Sequence, residues 1–85
     1  MQWRRFDQAE VPTDTVFLLN VGEDIFFARA TGKRIVVKSA YADAVNFNPE
    51  EHPYAGSEIE VFLHRNKARG TFPMWAHFHK PQLLK

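Results

Sequence analysis

The chain has no cysteine, which removes disulfide scaffolds, thiolate metal sites and cysteine nucleophiles together. Charge of one sign is also lacking. Eleven Lys and Arg stand against ten Asp and Glu, for a formal net charge of +1, so no global field draws the protein to nucleic acid or membrane. No apolar run approaches the ~20 residues of a membrane-spanning helix. The opening Met1-Gln2-Trp3-Arg4-Arg5-Phe6-Asp7 lacks the apolar centre of a signal peptide. These absences, with the missing cysteine, make the cytoplasm the expected location. What the chain does have is aromatic residues, phenylalanine above all, in a composition ordinary for a globular protein. Its 85 residues suffice for one domain, spanning 1–85, with a thin core.

The pattern is mostly that of strands. Trp3 to Phe6 reads as a short strand and Asp7 to Glu10 as one helical turn ended by Pro12. Thr15-Val16-Phe17-Leu18-Leu19 is β-branched and aromatic, as in a buried strand. Turn chemistry at Asn20–Glu23 and Thr31–Lys33 separates it from strands over Asp24–Ala30 and Arg34–Lys38. Short turns between consecutive strands predict an antiparallel meander. Ser39 is placed to cap a short helix through Val45, and Asn46 to Gly56, with Pro49 and Pro53, reads as a loop.

The stretch from Ser57 to Lys80 carries the functional expectation. Ile59, Val61 and Leu63 alternate with Glu58, Glu60 and His64, a period of two that predicts a strand. Phe72, Met74, Ala76 and Phe78 alternate in the same way with Pro73, Trp75, His77 and His79. A two-residue Arg69-Gly70 turn would join them as a β-hairpin. That register puts Val61, Leu63, Met74 and Ala76 in the core. Phe62 then lies opposite His77, Glu60 opposite His79 and His64 opposite Trp75 on an outer face. The expected fold is mainly β: about five antiparallel strands, a meander plus a C-terminal hairpin, curled toward a small barrel with one short helix. The alternative is an α+β sandwich.

On that outer face the candidate binding residues are Phe62, His64, Trp75, His77 and His79, rimmed by Arg65, Lys67 and Arg69. Large aromatics on a solvent-facing strand point to a protein partner, unless the segment 39–56 covers them. Cations beside rings are equally the residue types that bind single-stranded nucleic acid, which is the alternative reading. Three histidines near a glutamate also have the ligand types of a metal site, giving a metal-dependent activity as a weaker third class. No nucleophile or carboxylate pair stands with them at recognisable spacing. A non-enzymatic binding protein without cofactor is therefore the expectation.

The opening Trp3-x-x-Phe6-x-x-Ala9-x-x-Pro12-x-Asp14-Thr15-x-x-Leu18-Leu19, with Ala28-Arg29, Trp75 and Pro81 further on, resembles a group of small phage and prophage proteins of unknown function. Their pattern is Trp-x-x-Ile, an Ala-Pro-x-Asp-Gly turn, an apolar strand and a closing His-Trp before prolines. The resemblance covers the first third and the last ten residues. It implies a phage-type origin, carries no known activity and assigns no residue a role; with the hairpin face, the expectation is a phage-type accessory protein that binds a host or phage macromolecule.

Overall fold

The computed structural model describes residues 2–6 and 11–79. Among them the chain forms β1 (Arg4–Arg5), β2 (Val16–Val21), β3 (Asp24–Thr31), β4 (Arg34–Lys38), α1 (Tyr41–Val45), β5 (Ser57–Glu58), α2 (Ile59–Ala68) and β6 (Met74–His77). The strands make one antiparallel sheet in the order β1-β6-β2-β3-β4-β5. The fold is thus mainly β, as the patterning predicts. The sheet is open rather than closed on itself, and both its edges are strands of two residues, short enough to offer little template for edge pairing.

The meander follows the sequence signals closely. β2 and β3 meet across Gly22-Glu23, and β3 and β4 across Gly32-Lys33. The expected helical turn at Asp7–Glu10 and the tail with Leu83 and Leu84 lie outside the described residues. α1 forms where expected, but its N-cap is Ala40, which makes no side-chain capping bond, and not Ser39. The C-terminal end of α1 is held instead by Arg29 on β3. Its Nη1 donates to the carbonyls of Val45 at 3.2 Å and Phe47 at 3.0 Å, acceptors that a helix end leaves open.

The hairpin expected over 57–80 does not form. Its first arm is β5 followed by the ten-residue helix α2. Its second arm, β6, pairs with β2 and β1. The alternation of Ile59, Val61 and Leu63 coexists with a helical stripe, Ile59, Phe62, Leu63 and Asn66, at i, i+3, i+4 and i+7. The stripe is what the fold uses. Ile59, Phe62 and Leu63 pack on the core and Asn66 is 7% exposed, whereas Val61 is 45% exposed.

The end of the helix explains Gly70. Its N–H donates to the Lys67 carbonyl at 2.9 Å, and that of Thr71 to the Asn66 carbonyl at 2.9 Å, the paired bonds of a Schellman stop. Gly70 takes φ +76° there, so the residue expected to turn a hairpin instead ends a helix. Asn66 Nδ2 satisfies itself by donating back to the Phe62 carbonyl at 2.8 Å.

Residues directly opposite in an antiparallel pair share a face. Phe17, Leu19, Ala28, Ala30, Ile35 and Trp75 therefore lie together, and α2, Phe6 and Val11 cover them to make the core. Across the sheet, Phe27 packs edge-on to Tyr41 of α1 at 5.7 Å and to Phe78 at 5.3 Å. Side chains thus pack on both faces of the one open sheet. β5 is tied down by Arg34, whose guanidinium donates to the carbonyls of Tyr54, Ala55 and Gly56. Gly56, at φ +80°, lies so close to the Ile35 carbonyl that a Cβ would collide with it.

Candidate functional site

The eight residues expected to share one face fall into two groups. Trp75 is core: it is 1% exposed, edge-on to Phe17 at 6.0 Å, and opposite Leu19 in the sheet. Met74, assigned to the core from the alternation, is half-buried on the opposite face. The two environments are exchanged relative to the expected register because β6 pairs with β2 and not with residues 57–65. Phe62 is half-buried on the inner side of α2, its ring 5.9 Å from that of Phe6. Neither aromatic therefore offers the outer surface expected of it. His77 and His79 are exposed, with ring centroids 6.2 Å apart, and remain with the β6 group.

His64, Arg65, Lys67 and Arg69 are all exposed, on the C-terminal half of α2 and at its cap. Part of their role is local: cations in the last turn of a helix offset the negative end of its dipole. The histidines no longer converge, since His64 is on the helix. Among the described residues no three His, Asp or Glu side chains group closely enough to hold a metal ion.

A groove opens where the helix ends. It is lined by Leu63, His64, Lys67, Thr71, Phe72 and Pro73 and encloses about 180 Å³. Phe72, which the alternation assigns to the core, is 50% exposed at its edge because β6 begins only at Met74. Arg5 of β1 places its guanidinium 5.0 Å from the Phe72 ring centroid. The register Arg5↔Met74 and the bond from the Phe6 N–H to the Pro73 carbonyl at 3.0 Å fix that approach.

The site therefore combines an open aromatic ring, a cation on the ring and further cations on the adjoining helix. Glu58 and Glu60 stand at the opposite end of α2, two turns from Lys67. The β2–β3 turn puts Glu23 and Asp24 at this same end of the sheet, leaving the cations in the majority there. Sequence reasoning found His64, Arg65, Lys67 and Arg69 but missed Phe72 and Arg5. Pro73 was the available signal: a proline that delays the strand leaves the residue before it outside the ladder.

No helix among the described residues is long and apolar enough to cross a membrane. No protein family, no curated protein and no solved structure matches the chain.

Proposed function

We propose that this protein is a non-enzymatic binding module that takes single-stranded nucleic acid at the end of α2. A base would stack on Phe72, and Lys67, His64, Arg65 and Arg69 would face the phosphates. The observation that carries this reading is the half-open Phe72 ring with Arg5 across it beside the cationic helix end. Rings and cations in alternation are how proteins hold single strands without reading sequence. The alternative of a protein partner on an aromatic hairpin face loses its support, since Trp75 is buried and Phe62 faces the core. The phage-type origin implied by the opening motif, and action in the cytoplasm of a bacterial host, are compatible with such a module and belong to the same proposal.

The test is binding of a labelled single-stranded oligonucleotide, followed by fluorescence anisotropy, to wild type and to Phe72→Ala. Loss of one stacking contact worth ~1–3 kcal/mol should weaken binding by about 5- to 150-fold. Half of Phe72 is already in solvent, so the change should cost only about 1–2 kcal/mol of stability, and the two affinities are compared well below both melting temperatures. Equal affinity of the two proteins would defeat the proposal.

A further inference from the structure

A second feature lies on the other side of β1, away from Phe72. Arg4 and Arg5 are neighbours on a strand and so point to opposite faces. Arg4 pairs with Trp75 in the sheet and carries its guanidinium to 5.7 Å from the indole centroid. Around it is an open depression of about 420 Å³ lined by Arg4, Val11, Pro12, Thr13, Trp75 and His77. The polar side chains of this lining are a guanidinium, an indole N–H, an imidazole and a hydroxyl. Among the described residues of the lining there is no carboxylate.

The indole N–H is the informative atom. Trp75 Nε1 is buried and has no hydrogen-bond partner among the described residues. Indole nitrogen can only donate, and buried donors in folded proteins nearly always meet an acceptor. The nearest polar side chains do not supply one. Arg4 is itself purely a donor, and the His77 ring meets the indole at 4.9 Å and 77° without a bond. Both Arg4 and His77 are exposed, so small movements of two surface side chains open the way to the indole edge.

We propose that this depression is an oxyanion site, taking a phosphate or carboxylate group. Arg4 supplies the charge in a planar fork suited to such groups, and Trp75 Nε1 donates the hydrogen bond it otherwise lacks. Val11 and Pro12 form the apolar wall. The site shares no lining residue with the Phe72 groove.

The test reads the orphaned donor directly. Nitrogen-labelled protein shows one indole N–H resonance each for Trp3 and Trp75, told apart with Trp3→Phe. Inorganic phosphate and acetate are titrated in separate arms at constant ionic strength, balanced with chloride. The expected result is a saturable downfield movement of the Trp75 indole resonance while that of Trp3 stays in place. A response to phosphate alone identifies a phosphate-bearing ligand, to acetate alone a carboxylate, and to both a general oxyanion site. Arg4→Gln should weaken the response by about tenfold or more, the weight of one charge-assisted hydrogen bond. A Trp75 resonance that moves in neither arm, or that moves identically in a folded Arg4→Gln protein, overturns the proposal.

Discussion

Replacing Trp75 by alanine tests the packing of the sheet most severely. The side chain is 1% exposed, lies on the face covered by α2, Phe6 and Val11, and contacts Phe17 edge-on at 6.0 Å. Truncating a buried tryptophan costs about 3–5 kcal/mol. Removing an N–H that has no acceptor among the described residues returns part of that, so the lower half of the range, about 3–4 kcal/mol, is expected. A domain of 85 residues has on the order of 4–13 kcal/mol in total. At roughly 4–8 °C per kcal/mol, the melting temperature should fall by about 12–30 °C. Met74→Ala, one residue away on the opposite face and half-buried, should cost only about 1–2 kcal/mol. Far-ultraviolet circular dichroism melts of the two variants check the order. A Trp75→Ala protein that melts within a few degrees of wild type, or above Met74→Ala, would refute the placement.

Two further stability measurements follow from the helix and the loop. Leu63→Ala should cost about 1–2 kcal/mol, since Leu63 packs on the core, while Val61→Ala on the outer side of α2 should stay within about 0.5 kcal/mol. Equal losses in urea unfolding would support a strand instead, because both side chains would then share a buried face. Gly56→Ala should destabilise by about 1–3 kcal/mol, since it adds a Cβ against the Ile35 carbonyl at a positive φ. An unchanged denaturation midpoint would show that the β4–β5 pairing is not anchored there.

Much of the fold was legible because the meander is local. β2, β3 and β4 are largely apolar runs of aliphatic and aromatic residues joined by two-residue turns containing Gly22 and Gly32, so each pairing is settled within a few residues. The segment 57–68 was not, because Ile59, Phe62 and Leu63 fit helical spacing while Ile59, Val61 and Leu63 fit strand spacing. Capping and charge could have decided it. Glu58 and Glu60 sit at the positive end of the helix, Arg65 and Lys67 at the negative end, and Gly70 at the stop.

The candidate site depends on the same segment. Once residues 57–68 are not a strand, β6 must find other partners. β2 and β1 supply them through a long-range pairing that no local pattern specifies. Trp75 and Met74 exchanged faces as a result. The basic cluster survived this because charged residues stay in solvent on a helix as on a strand. Phe72 and Arg5 come together only through the pairing of β1 with β6.

The most direct measurement of the proposed function is the salt dependence of single-stranded oligonucleotide binding by the wild-type protein. If two to four of His64, Arg65, Lys67 and Arg69 contact phosphates, log K should fall with log salt at a slope of about −1.5 to −3, since each single-strand contact contributes roughly −0.7. Binding that is measurable at low salt and falls along such a slope is the predicted result. No binding at low salt, or binding that is indifferent to salt, would contradict the assignment of this surface to nucleic acid.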